Sequence, residues 1–99
     1  MYNQTYNETA GGRTTVTTAG TRVQISGTST PCRVIHIQAL ETNTGNICVG
    51  GVDVVAAAAT RKGIVIVPGG SYDVPLNNLN IAYIDSAVNS EGVSWEYYR

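Results

Sequence analysis

The sequence predicts an all-β fold: a single antiparallel β-sandwich, or jelly-roll-like domain, of about seven to nine short strands with an extended N-terminal arm. Three observations support this prediction. Thr and Gly are abundant, with twelve and eleven copies among 99 residues. Short runs rich in Val and Ile alternate apolar with polar residues, as half-buried strands do. Clusters of Gly, Pro, Asn and Asp separate these runs and are typical of tight turns.

Residues 1–12 are predicted to form a flexible arm, and residues 13–99 the sandwich. The arm contains a short tandem repeat, Tyr2-Asn3-Gln4-Thr5 followed by Tyr6-Asn7-Glu8-Thr9, and a Gly pair ends it. It has no aliphatic pattern, so it cannot fold alone. Two interpretations remain open: a frayed terminus, or an arm that orders on a neighbouring subunit as Tyr2 and Tyr6 dock in turn.

The first half of the domain predicts strands at residues 21–26, 32–40 and 47–49. The second of these is the longest. Its alternation directs Ile35, Ile37 and Ala39 to one face and Val34, His36 and Gln38 to the other. Because the second face mixes polar and apolar residues, a partner could cover it in place of water.

Residues 52–62 fit a helix, a strand or a loop. A short helix would begin with Asp53 as its N-cap and end at Gly63, but so few residues between strands make a marginal helix. Residues 64–67 are apolar on both faces, which predicts a central strand that is covered on both sides.

The C-terminal part predicts strands at residues 71–74 and 79–84, a long polar turn at residues 85–92 and a final strand. In the strand at 79–84, Leu79, Ile81 and Tyr83 share a face. The final strand directs Val93, Trp95 and Tyr97 inward and Ser94, Glu96 and Tyr98 outward.

No pattern of residues predicts catalysis, so the protein is not expected to be an enzyme. The single histidine, His36, has no carboxylate near it in sequence and is interpreted as structural. Cys32 lies four residues away on the same predicted strand, about 13 Å at strand rise, which is too far for a nucleophile and its base. Cys32 and Cys48 are predicted to be small buried thiols rather than a disulfide.

No cofactor and no metal is predicted either. Zinc-ligand spacing and phosphate-binding glycine loops are missing from the sequence. Asp85, Asn89 and Glu91 fall in one predicted turn and could bind calcium, but such residues are also ordinary turn formers. A net charge of -1, with one basic doublet, argues against nucleic acid as a partner. The start carries no signal-peptide pattern, and no apolar run is long enough to predict a membrane span.

Several segments are similar to small structural proteins of tailed-phage virions. The first is Thr17-Thr18-Ala19-Gly20-Thr21-Arg22-Val23-Gln24-Ile25. The others are residues 32–35, 43–50, 68–71, 78–80, 83–89 and 91–94. Together they span roughly residues 16–95 and resemble head decoration, or cement, proteins and related virion modules. The alanine-rich stretch at residues 52–62 departs from that pattern, and the resemblance does not explain the arm.

The resemblance implies a β-sandwich that forms a homotrimer on the outer capsid surface, binds the major capsid protein and ties capsomers together. Such a virion would assemble in the host cytoplasm. The candidate subunit or capsid contacts are Tyr2, Tyr6, Arg13, Val34, His36, Ala57 and Val65. For Val34, Val65 and the alanine run, an ordinary place in the core is the competing interpretation. The alternative function is a tail or fibre module that binds host-surface glycan, with Tyr72 or Tyr98 as a stacking platform.

Overall fold

A computed structural model describes residues 9–99, which form two four-stranded antiparallel sheets. The strands are β1 Thr9–Val16, β2 Val23–Gln24, β3 Val34–Ala39, β4 Ile47–Gly50, β5 Ile64–Ile66, β6 Ser71–Pro75, β7 Tyr83–Ser86 and β8 Glu91–Tyr98. Two 3-10 turns, at Ala58–Thr60 and Leu79–Ile81, accompany them. The predicted all-β sandwich is therefore confirmed, with eight strands in the described part of the chain.

The strand order is that of a long hairpin rolled into two layers. Sheet 1 has the order β1-β8-β3-β6, and sheet 2 has the order β2-β7-β4-β5. The first strand thus pairs with the last, the second with the seventh, the third with the sixth, and the fourth with the fifth. This nested pairing of eight antiparallel strands in two sheets is the arrangement of a jelly roll.

The main core lies between the two sheets and follows the predicted alternation of β3. Ile35, Ile37 and Ala39 are all fully buried, whereas the side chains of Val34, His36 and Gln38 lie on the opposite face. On β8, Val93 and Tyr97 are buried and Trp95 packs against the edge of the same cluster. Cys32 and Cys48 are both buried free thiols, as predicted.

The first strand begins inside the segment that was predicted to be a flexible arm. Thr9–Val16 pair with Glu91–Tyr98 along their whole length, so residues 9–12 belong to sheet 1. The glycines provide space here. A Cβ on Gly12 would lie 2.4 Å from Cζ2 of Trp95, and one on Gly11 would lie 2.8 Å from the carbonyl oxygen of Trp95. Residues 1–8, including Tyr2 and Tyr6, lie outside the described residues.

Two predictions about individual strands are wrong. The apolar run at residues 64–67 is not a central strand: β5 is the edge of sheet 2, and Ile64 and Val67 are exposed. Residues 79–84 are not one strand either, because residues 79–81 form a 3-10 turn in which the Asn80 N–H donates to the Asn78 side-chain oxygen. Leu79 is consequently buried while Ile81 is exposed.

One further segment is shorter than predicted, and another, for which the sequence left three conformations open, is a loop. The polar turn at residues 85–92 is reduced to residues 87–90, because Asp85 and Ser86 end β7 and Glu91 begins β8. Residues 52–62 form a loop with one 3-10 turn and a bridge between Val55 and Lys62, so the short helix is not formed.

We expect Gly12→Ala to destabilise the fold by about 1–3 kcal/mol, because the added methyl group must displace the rigid indole ring of Trp95. Urea unfolding followed by Trp fluorescence measures the change. Gly27→Ala is the matched control, since the nearest atom to its Cβ is the flexible Gln24 side chain at 3.8 Å. Equal stability of the two variants would contradict the role assigned to Gly12.

Candidate binding surfaces

The register of sheet 1 gives His36 two acidic neighbours that sequence spacing does not reveal. On β3, His36 lies directly opposite Asp73 of β6 and Glu96 of β8. Its Nδ1 pairs with Oδ1 of Asp73, and the side chains of both residues are largely exposed. His36 is therefore a paired histidine, and its partner comes from a neighbouring strand instead of from nearby in sequence. An exposed contact of this kind between an imidazole and a carboxylate contributes little to stability.

A shallow polar groove crosses the outer face of sheet 1, and we call it the outer groove. It has a volume of about 460 Å³, and Gly11, which lacks a side chain on this face, leaves room for it next to His36, Gln38 and Glu96. Ser94 also lines it but makes no hydrogen bond to His36 among the described residues. The outer groove thus offers hydrogen-bonding groups, with two carboxylates in or beside it, of which Glu96 accepts a hydrogen bond from the Thr9 hydroxyl at 2.6 Å and Asp73 pairs with His36.

The outer face of sheet 2 is covered by the loop at residues 51–63. Beneath this loop, Cys48, Val54 and Ala56 form a second buried cluster, against which Val65 and Tyr83 pack. Burial raises the pKa of the Cys48 thiol, an effect that the nearby Arg61 guanidinium partly opposes. Cys48 is therefore a packing residue and not an activated nucleophile.

A buried carboxylate fixes this loop to the sheet. Asp85 on β7 is 1% exposed, and its two oxygens accept hydrogen bonds from Gly20 N–H at 3.0 Å and Ala56 N–H at 2.8 Å. Arg22 Nε also donates to the Val54 carbonyl at 2.9 Å. A buried charge is tolerated when such donors satisfy it. Asp85 accordingly joins two loops that are far apart in sequence.

The other two residues of the possible calcium site serve different loops. The Asn89 side chain accepts a hydrogen bond from Ala19 N–H at 2.8 Å. Glu91 accepts from Thr44 N–H at 2.7 Å and Gly45 N–H at 3.0 Å. These three side chains point at backbone donors instead of at one another, and no cluster of three His, Cys, Asp or Glu side chains fit for a metal ion occurs within residues 9–99.

An apolar groove opens between the edge strands β5 and β6, and we call it the edge groove. Its volume is about 290 Å³, and no charged residue lines it. Ile64 from β5, Tyr72 and Val74 from β6, and Ile81 from the second 3-10 turn form its walls. Exposure of these side chains is high for their size: 46% for Ile64, 40% for Tyr72 and 52% for Ile81.

The edge groove is a part of the core that residues 9–99 leave uncovered. Tyr72 and Val74 lie opposite Ile37 and Ile35, so they share the inward face of sheet 1. Ile64 lies opposite Val49 and shares the inward face of sheet 2. Because β5 has only three residues and β6 has five, the inner face of β6 extends beyond the part that β5 covers. Exposed apolar patches of this kind mark interaction surfaces.

The predicted contact residues that the structure describes fall on separate surfaces. Arg13, Val34 and His36 lie on the outer face of sheet 1. Val65 lies on the outer face of sheet 2, where the loop at residues 51–63 half-buries it, and Ala57 is exposed on that loop. The structure brings three of the predicted residues to one face and leaves the other two on the opposite side of the sandwich.

Sequence reasoning did not find the edge groove. The apolar side chains of residues 64–67 are the sequence signal for this groove, but such a run also predicts a central strand. The outward side chain of that run, Val65, packs under the loop, whereas Ile64 points to the inter-sheet space at an open edge. When an edge strand carries apolar residues on both faces, its sequence pattern is the same as that of a central strand, so periodicity does not distinguish the two.

Comparisons with known proteins assign no family: the sequence matches neither a protein-family model nor a curated protein. Over residues 9–99, the structure also contains no helix with the length and apolar character needed to cross a bilayer.

Asp85→Asn should lower the free energy of unfolding by about 2–3 kcal/mol. One carboxylate oxygen becomes an NH₂ group, which cannot accept a hydrogen bond from the N–H of Gly20 or Ala56, and the remaining oxygen loses its negative charge. Chemical denaturation measures the loss. Asp53→Asn is the control. The Asp53 side chain is exposed and its Oδ2 lies 4.0 Å from Lys62 Nζ, which is a weak surface ion pair, so the loss of unfolding free energy should be below about 1 kcal/mol. A similar small effect in both variants would disprove the anchoring role of Asp85.

Glu91 should make the stability depend on acid pH. Desolvation raises its pKa, but hydrogen bonds from Thr44 N–H, Gly45 N–H and the Thr44 hydroxyl outweigh that effect, so the pKa in the folded state is lowered. A lowered folded-state pKa stabilises the fold above the unfolded-state pKa, and this stabilisation is lost as pH falls through the folded-state value. Unfolding midpoints measured below about pH 5 should therefore fall less steeply in Glu91→Gln than in wild type. Glu41→Gln, at an exposed position, should keep the wild-type slope.

Proposed function

We propose that this chain is a structural protein of a tailed-phage virion: a trimeric capsid decoration, or cement, protein that binds the major capsid protein on the outer surface and stabilises contacts between capsomers. The edge groove is the observation that carries this proposal. It is a preformed, uncharged apolar surface at a free sheet edge, which suits attachment to another protein. Attachment of this kind needs binding energy and no chemistry.

The fold supports the same proposal by analogy. Jelly rolls occur in viral capsid proteins and in lectins. A fold alone does not determine function, because one architecture serves many. The similarity of residues 16–95 to tailed-phage virion proteins is the reason for choosing the virion among these uses.

The surface composition is a second support. Only 13% of residues are charged, about half of the usual quarter, and the net charge is -1. Charged residues are depleted at the centres of protein interfaces. A surface with few charges is therefore well suited to contacts with several neighbours, and repetition over a shell multiplies weak individual contacts into stable attachment.

The outer groove favours a second candidate, a tail or fibre module that binds host-surface glycan. His36, Gln38 and Glu96 present hydrogen-bonding groups beside an open floor, as sugar hydroxyls require. The two tyrosines considered as stacking platforms differ in position. Tyr98 lies half-buried on the outer face of sheet 1, while Tyr72 lines the apolar edge groove.

The two candidates make opposite predictions for the virion. A decoration protein should be present in hundreds of copies per particle, as measured by quantitative mass spectrometry against the major capsid protein. The purified chain should rebind capsids stripped of it and raise their thermal stability. A few tail-located copies, together with oligosaccharide binding that Gln38→Ala abolishes, would instead establish the glycan module.

Analytical ultracentrifugation at micromolar concentration tests the trimer. We expect a species of three chains, each of 10.5 kDa. A single species of one chain across the concentration range would contradict a constitutive trimer.

A further inference from the structure

Both strands that border the edge groove have a free side. In the described part of the chain, β5 pairs only with β4 and β6 pairs only with β3. Half of the backbone N–H and C=O groups of an edge strand point away from its sheet and can pair with an added extended segment. The edge groove therefore combines an apolar slot for side chains with unpaired main-chain groups beside it.

The size and chemistry of the slot restrict what it can accept. Its volume of about 290 Å³ is at the lower end of the about 300–1,000 Å³ typical of small-molecule sites. Its lining is aliphatic except for Tyr72, with no charged side chain to orient an ionic ligand. These features fit an uncharged aromatic side chain that is presented by an extended peptide.

The chain supplies such a peptide in residues 1–8. Tyr2 and Tyr6 are four residues apart, so an extended conformation puts both rings on the same face, about 13 Å from each other. Glu8 is the only charged side chain among these eight residues. The spacing of the tandem repeat thus matches a strand that presents two aromatic anchors, and its low charge matches the uncharged slot.

We propose that residues 2–6 of one copy bind in extended form at the edge groove of a second copy, with a tyrosine ring in the slot and the main chain along the free edge of β6. This inference rests on the proposed function in so far as copies of the chain must meet one another. It is independent of which shell, if any, they then bind.

The register of sheet 1 favours a second copy over the same copy. Thr9 lies in one row with Tyr98, Val34 and Pro75, so three strand spacings, about 14 Å, separate it from the nearer end of the groove. Tyr6 precedes Thr9 by three residues, and its Cα can reach at most about 11 Å. Tyr2 precedes Thr9 by seven residues and can reach about 25 Å, so a single copy can bring Tyr2 alone to its own groove. A neighbouring copy can bring the main chain around both tyrosines there, which is the arrangement that we propose.

The decisive experiment deletes residues 2–8, so that Met1 directly precedes Thr9, and then adds a synthetic peptide with the sequence of residues 1–8. The deletion stops before Thr9 because residues 9–12 belong to β1. We expect the truncated protein to remain folded but to sediment as one chain. The peptide should then bind it saturably, with chemical-shift changes in ¹H–¹⁵N spectra concentrated at Ile64, Tyr72 and Ile81. A peptide with both tyrosines changed to Ser should bind at least about tenfold more weakly.

Variants of the groove give the reciprocal test. Ile64→Ser and Ile81→Ser should each weaken binding of the peptide and reduce the assembled fraction of the full chain, while both positions are exposed enough to leave the fold intact. Val67→Ser is the matched control, because Val67 is 56% exposed and does not line the groove. Unchanged sedimentation after the deletion, or equal peptide binding by the Ile64 and Val67 variants, would overturn the proposal.

Three further outcomes separate this inference from the proposed function. A full chain that sediments as one species of 10.5 kDa, yet shows the groove shifts produced by the peptide, would mean binding within one copy and would overturn the inference. Loss of capsid binding in Ile64→Ser without a change of assembly would overturn it too, since the groove would then belong to the capsid. Arm-dependent assembly without any capsid binding would uphold it and refute the decoration role.

Discussion

The fold depends on the ladder between β1 and β8, which joins the beginning of the described chain to its end. Eight residue pairs form this ladder, and it places β8 between β1 and β3. The pair Gly11-Gly12 makes the close approach possible, because any larger residue would collide with Trp95. Once the outermost strands are paired, the nested order of the remaining strands follows: each inner pair closes a shorter loop within the previous one.

Nested pairing also explains why the sandwich has one closed and one open edge. At the closed edge, Thr14 on β1 donates a hydrogen bond to the Ile25 carbonyl just after β2, and Trp95 Nε1 donates to the Thr14 hydroxyl. The opposite edge is formed by β5 and β6, which a tight turn at residues 67–70 connects. With so short a connection and so short a β5, no segment within residues 9–99 covers Ile64 and Tyr72. The edge groove is the consequence of this length mismatch.

Periodicity was sufficient to predict the class of fold and the inward face of β3, because alternation reports directly on burial. It failed where a loop, and not the opposite sheet, buries a side chain. Val65 is covered by a loop, so β5 resembles a central strand in sequence. The carboxylate neighbours of His36 and the two backbone donors of Asp85 come from strands and loops 29 to 65 residues away. Such contacts depend on register and loop path, which a single sequence does not specify.

If the arm of one copy binds the edge groove of another, as proposed, two different surfaces meet and the contact between copies is heterologous. Heterologous contacts produce a ring when the rotation between copies closes, and an open chain when it does not. A trimer is a closed ring in which each copy gives one arm and receives one. Every edge groove is then occupied, and no apolar surface of this kind remains exposed to recruit a fourth copy. In the proposed trimer, closure would therefore limit assembly, and it would leave the outer face of sheet 1, with Arg13, Val34 and His36, available for a different partner.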